Sequence, residues 1–123
     1  MRLKIRHAQP RDVQNIFNLG SKLEDSLKAS KMKGEHFHEK AEFLEYIKNP
    51  KKNVLLVAEV DNKFVGFVCA ELIDKEWCVL DNIAVDKKYR RQGIGTKLLD
   101  ELYSILRKKK IYYVQLLAEK NHK

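Results

Sequence analysis

Long apolar runs are missing from this sequence. None approaches the roughly 20 residues that a membrane-spanning helix requires, and the opening stretch MRLKIRHAQP lacks the apolar segment of a signal peptide. A cytoplasmic protein with no membrane partner is the expectation. Cysteine is scarce: Cys69 and Cys78 are the only two. Without a secretion signal, they read as reduced and structural, because reducing compartments disfavour disulfides. Together with the four histidines they form no zinc-ligand spacing, so no metal is expected. Repeats, low-complexity tracts and linkers are absent as well, which argues against a multi-domain or solenoid reading.

What is present fits one domain spanning residues 1–123. The chain is 44% hydrophobic and 34% charged, enough apolar content to build a core and too much to remain a disordered tail. The net charge of +8 comes from 25 basic and 17 acidic residues. That excess favours an anionic partner: nucleic acid, an acidic surface or a phosphate-bearing cofactor. The basic residues lie in short clusters, Lys51-Lys52, Lys87-Lys88 and Arg107 to Lys110. Each cluster equally suits a solvated surface, so charge alone does not choose. A nucleic-acid partner is the least favoured, since no recognition-helix motif or aromatic stacking pattern accompanies the charge.

Residues 3–8, LKIRHA, alternate apolar and polar and predict a first strand. Pro10 suits the first turn of a helix, and Val13, Ile16, Phe17, Gly20, Leu23 and Leu27 follow at helical spacing. The spacing predicts an amphipathic helix over 11–28. Phe37, Ala41, Leu44 and Ile47 predict a second helix, stopped by Asn49-Pro50. NVLLVAEVDNKFVGFVCAELID is two apolar runs around Asp61-Asn62, residues that tolerate the left-handed conformation of a tight hairpin. A second turn at Asp74-Lys75 leads into EWCVLDNIAV, so strands two to four form an antiparallel meander. Leu98, Leu99, Leu102, Ile105 and Leu106 give the next helix its stripe, and IYYVQLLAE is a fifth strand. The expected fold is α/β (α+β), in the order β-α-α-β-β-β-α-β. Its final β-α-β crossover makes the fifth strand parallel to the fourth.

Between the fourth strand and the last helix lies DKKYRRQGIG. A P-loop would need four residues between its glycines, then Lys-Ser/Thr; Gly93 and Gly95 enclose only Ile94. A dinucleotide fingerprint would need a third glycine where Leu98 stands, and a tight turn where seven residues separate Val85 from Gly93. A different anion cradle remains. The first N–H groups of a helix have no intrahelical acceptor and carry the positive end of its dipole. Gly93 and Gly95 put no side chain in front of them. Arg90, Arg91 and Lys97 add charge at the rim. Together these suit a pyrophosphate, although an ordinary glycine-containing loop with surface arginines has the same composition.

The segment LDNIAVDKKYRRQGIGTKLL closely resembles motif A of the GNAT N-acetyltransferase superfamily, a strand and loop followed by Arg/Gln-x-x-Gly-x-Gly/Ala and a Leu-rich helix. The element order matches as well, so the resemblance spans nearly the whole chain. It implies acetyl-CoA as donor. Main-chain groups of Ile83, Ala84 and Val85 would pair with the pantetheine arm. Arg90, Arg91, Gln92, Gly93, Ile94, Gly95, Thr96 and Lys97 would hold the pyrophosphate. The family's later Asn-x-x-Ala pattern would begin at Asn121, which joins the cofactor residues on that ground.

The reaction so implied is direct attack of an amine on the thioester. An alkyl amine with a pKa near ~10.4 must first lose a proton, and the carbonyl oxygen needs a donor, for which a fourth-strand N–H is suited. Asp81, two residues before Ile83, is the first candidate base; some relatives carry a carboxylate there, and burial near apolar groups would raise its pKa. It would equally serve as an Asp that shapes the strand. Glu71 on the third strand is the second candidate. His36 and His38 stand near the second helix, where relatives bind acceptors, and Glu119 is on the fifth strand. The acceptor itself stays open among a protein N-terminus, lysine, a polyamine and an aminoglycoside. Glu24, Asp25, Glu35 and Glu39 are acidic residues of the helical region that could attract a cationic amine or simply be solvated. Relatives continue past the fifth strand with a helix, a tyrosine that protonates the departing thiolate, and a hairpin. Here Asn121 is followed only by His122 and Lys123. A thiol of pKa about 8.5 can leave without that proton. An unpaired edge at Tyr113 to Ala118 would be sticky, so a homodimer through the fifth strand is expected unless a longer parent chain covers it. The alternative function is a non-catalytic CoA-binding or protein-interaction module of the same fold.

Overall fold

The computed structural model describes residues 2–26 and 39–116. Five strands form one sheet in sequence order: β1 (Leu3–His7), β2 (Asn53–Val60), β3 (Lys63–Leu72), β4 (Trp77–Val85) and β5 (Tyr113–Leu116). The first four pair antiparallel, and β5 runs parallel to β4 with Trp77 opposite Tyr113. Helix α1 (Val13–Ser26) follows a 3-10 turn at Pro10–Asp12. Helix α2 is Lys40–Lys48 and helix α3 is Ile94–Lys108. The expected mixed α+β order is the one found. No described helix is long and apolar enough to cross a membrane.

The sheet is buried on both faces along β2 and β3, which is why their sequences are almost unbroken apolar runs rather than alternating ones. Helix α3 covers one face. Its Leu98, Leu102 and Leu106, one turn apart, are fully buried against Leu56, Val68 and Leu80. Each such side chain contributes about 1.5–3 kcal/mol of transfer free energy. The other face takes Val13 and Ile16 of α1 and Phe43 of α2 against Val57, Phe67 and Cys69. Asp61 (φ 52°) and Asn62 (φ 68°) are both left-handed, as a two-residue hairpin turn between β2 and β3 requires. Arg6 on β1 forms a bidentate pair with the buried Asp12 and also bonds Glu59 on β2, tying the helix entrance to the sheet.

The second helix differs from its expected phase. Ala41 is exposed and Phe43 is fully buried, with Leu44 and Ile47 half-buried beside it; Phe37 and Leu27 lie outside the described residues. The largest apolar side chain sets the rotation. Phe43 stacks edge-on against Phe67 of β3 with ring centroids 6.3 Å apart, and a methyl at Ala41 cannot compete with that contact.

An irregularity in β4 sets the geometry of the site. Cys69 of β3 pairs with Asn82 and Ala70 pairs with Leu80, so Asp81 is an extra residue in the strand, a β-bulge.

Candidate functional site

A cleft of about 480 Å³ opens between the C-terminal end of β4 and the start of α3. Ile83, Ala84 and Val85 form one wall; Tyr89 to Arg91 and Gly93 to Thr96 form the other. A larger hollow, about 650 Å³, lies between the turn Asp74–Trp77 and Tyr113–Gln115. It holds neither a helix N-terminus nor any expected site residue, whereas the smaller cleft holds both.

Gly93 caps α3 in the left-handed conformation, φ 81° and ψ 8°. A Cβ there would meet nothing within 4 Å, so the open side of the residue faces free space. The first intrahelical bond runs from the Lys97 amide to the Gly93 carbonyl, 3.0 Å. The amides of Ile94, Gly95 and Thr96 therefore precede the helix's own acceptors. They point out of the positive end of a helix of 15 residues. The Ile94 side chain is buried in the core, so this residue offers its main chain only. Arg90 Nε donates to the Val85 carbonyl at 3.2 Å, which ties the loop to the end of β4. Arg91 is held at φ 65°, a left-handed position that non-glycine residues rarely adopt. Gln92 and Lys97 are exposed and do not line the cleft. Asn121, His36, His38 and Glu119 lie outside the described residues.

The β4 wall depends on a close approach from β3. A Cβ on Gly66 would sit 2.7 Å from the Ala84 carbonyl oxygen, so only glycine allows the two strands to meet there.

The two carboxylates expected to act as bases are both within electrostatic reach of Tyr46, on the α2 side of the sheet. The Tyr46 hydroxyl donates to Asp81 Oδ2 at 3.3 Å. Burial above all, and then the neighbouring Cys69, Asp81 and Glu71, push the Tyr46 phenol far above its ordinary pKa. The Cys69 thiol is raised by burial first and then by Asp81 and Glu71. Asp81 and Glu71 thus act on the same spot. Glu71 is exposed, whereas Asp81 is half-buried. The cysteines are both free and buried, Cys69 toward α1 and α2 and Cys78 toward α3, on opposite faces of the sheet.

Sequence reasoning missed Tyr46, Tyr89 and Gly66. Tyr46 lies three residues after Phe43, and a helix phase set on Phe43 would have brought it to the sheet side. Tyr89 is the lone aromatic in the basic run KKYRR, and Gly66 interrupts an otherwise apolar strand.

The model of the acetyltransferase (GNAT) family matches residues 21–123. Among curated proteins, none matches this chain. Several solved structures share the fold. The PaiA N-acetyltransferase of Thermoplasma acidophilum, in complex with coenzyme A, superposes with a TM-score of 0.85 at 19% identity, over 98% of this chain and 82% of that one. Ard1 of Thermoplasma volcanium gives 0.77 at 21% identity, over 98% and 74%. An aminoglycoside acetyltransferase from an uncultured soil metagenomic sample, in complex with sisomicin, gives 0.70 at 24% identity, over 96% and 78%. At these identities the likeness is one of fold.

Proposed function

This chain belongs to the acetyltransferase (GNAT) family, and we propose that it moves an acetyl group from acetyl-CoA to an amine. The observation that carries the proposal is the start of α3. Amides without intrahelical acceptors, a left-handed glycine cap and a side-chain-free Gly95 border the cleft at the end of β4. A diphosphate needs N–H donors, positive potential and room for close approach, and this helix start supplies all of them. The amides of Ile94 to Thr96 would hold it, with Arg90 and Arg91 beside them. The main chain of Ile83 to Val85 would take the pantetheine arm. Bound acetyl-CoA supplies the activated acetyl thioester.

The chain's own residues then have two tasks. Asp81 accepts the proton of the incoming ammonium, whose pKa near ~10.4 keeps it protonated at neutral pH. A main-chain N–H of β4 donates to the carbonyl oxygen as negative charge develops there. Glu71, exposed on the neighbouring strand, adds negative potential on the acceptor side.

The test is acetyl transfer from acetyl-CoA to a panel of an N-terminal peptide, a lysine peptide, a polyamine and an aminoglycoside, followed by release of free thiol. Transfer to at least one amine is expected. Asp81→Asn should lower turnover at pH 7 by tenfold or more, on the order of 1.4 kcal/mol, and by less at pH 9, where more of the amine is already neutral. Coenzyme A binding with no transfer to any of the amines would favour the non-catalytic module instead. Equal turnover of Asp81→Asn and parent at pH 7 would return Asp81 to a purely structural role.

A further inference from the structure

We propose that Tyr46 is a positioning residue for this reaction: its phenol, carried on α2, holds the Asp81 carboxylate of the β4 bulge in place to receive the amine's proton. The inference rests on the reading above in which Asp81 is the base.

A bulge residue does not inherit its side-chain direction from the strand's alternation. Asp81 is the extra residue between the Asn82 and Leu80 pairings, so its carboxylate needs an outside tether. Tyr46 Oη provides one, donating to Asp81 Oδ2 at 3.3 Å. The tether is itself fixed. The Tyr46 ring packs edge-on against Phe43, centroids 6.3 Å apart and 86° between planes. Phe43 packs the same way on Phe67 of β3. The chain Phe67–Phe43–Tyr46 thus starts on the strand next to β4 and returns to β4 at the bulge. Tether and carboxylate share one frame, and motion of α2 alone would break it.

The surroundings decide which partner gives the hydrogen. Cys69 and Glu71 face the pair from β3. Val13, Ile16 and Leu19 of α1 and Phe43 of α2 contribute apolar surface. Burial and like charge keep the phenol protonated, so Tyr46 acts as a donor and Asp81 as an acceptor. A hydrogen bond to the ionised carboxylate favours that form. Losing the hydroxyl would therefore free the carboxylate to turn and remove one interaction that favours its ionised form.

Tyr46→Phe keeps the ring stack and removes only the hydroxyl. The expected result is a several-fold fall in kcat and an acidic limb of the kcat/KM profile displaced upward by about half to one pH unit, with coenzyme A affinity unchanged. Asp81→Asn should abolish that limb, and Tyr46→Phe with Asp81→Asn should be no slower than Asp81→Asn alone, because Tyr46 acts only through Asp81. A second readout needs no turnover: the Asp81 carboxyl, followed by carbon-13 NMR in the full chain, should titrate at higher pH in Tyr46→Phe. If the parent transfers acetyl to no amine, the function above fails, and the titration still decides this inference. An Asp81 titration and a pH profile that ignore the loss of the hydroxyl would overturn it, and so would additive losses in the double variant.

Discussion

Gly95 offers two substitutions that separate the stability of the fold from the binding of a diphosphate. It is the second residue of α3, and a Cβ built there meets only Val85 Cγ2, at 3.9 Å, an ordinary van der Waals contact. Its backbone is not among the left-handed ones, so alanine enters without strain. Alanine in a helix is favoured over glycine by roughly 0.5–1 kcal/mol, largely because the unfolded chain has less freedom to lose. Gly95→Ala should therefore raise the melting temperature of the free protein by about 2–4 °C. The same methyl points toward Val85, across the cleft where the helix amides open. Alanine is also what the Gly/Ala position of the motif this loop resembles admits, so Gly95→Ala should bind coenzyme A about as well as the parent. Gly95→Val adds branched bulk in front of the same amides and should weaken coenzyme A binding at least tenfold, about 1.4 kcal/mol. At a concentration near 100 times the parent's Kd, coenzyme A should stabilise the parent by about 2.7 kcal/mol. The same concentration should stabilise Gly95→Val by no more than about 1.4 kcal/mol. Thermal melts with and without coenzyme A, backed by titration calorimetry, read both quantities from one set of proteins. A folded Gly95→Val protein stabilised by coenzyme A as strongly as the parent would refute the claim that this helix start receives the diphosphate.

Gly66→Ala must push β3 away from the Ala84 carbonyl, because the added Cβ would lie 2.7 Å from it. We expect a loss of about 1–3 kcal/mol in urea unfolding, together with weaker coenzyme A binding through the displaced Ile83–Val85 wall; an unchanged urea midpoint would contradict the close approach. Asp12 is opposed by burial, but the Arg6 hydrogen bonds and the Gln9 amide prevail and hold its carboxyl below the ordinary value. Its contribution is full above an unfolded pKa of about 3.9 and is lost as pH falls through the lower folded value. Asp12→Asn should cost about 2–3 kcal/mol at pH 7 and should flatten the loss of stability below about pH 4. Parallel stability-versus-pH curves for parent and variant would remove Asp12 from that role.

The parts of this fold that were legible in the sequence are those whose causes are local. Asp61-Asn62 announces a hairpin because two adjacent left-handed residues are a property of the turn itself, and the φ angles of both bear this out. The stripe of α3 is legible because Leu98, Leu102 and Leu106 repeat at one-turn spacing over a long helix. Helix α2, at nine residues, has too few turns for periodicity to outvote one large side chain. Its phase came from Phe67, a residue of another element. The bulge at Asp81 is likewise invisible in EWCVLDNIAV, since an extra residue exists only relative to a partner strand.

The same distinction divides the candidate site in two. The residues that would hold the donor run almost continuously from Ile83 to Thr96 along strand, loop and helix. A strand end followed by a helix start is one supersecondary unit, so its chemistry can be recognised as a motif. The acceptor side has no such contiguity. Tyr46 and Asp81, hydrogen-bonded in space, are 35 residues apart in the chain, and Glu71 reaches them from a third element. The reach of Phe43 to Phe67 of β3 and of Tyr46 to Asp81 of β4 brings α2 to them, and the second contact depends on the bulge. Diphosphate recognition asks for main-chain donors, which tolerate many side chains as long as the glycines remain. Recognition of an amine asks for particular side chains at particular distances. In the proposed reading, the half of the site that depends on backbone is therefore the half a sequence motif can suggest, while the acceptor half turns on α2, where the predicted stripe held Leu44 and Ile47 but left out Phe43 and Tyr46.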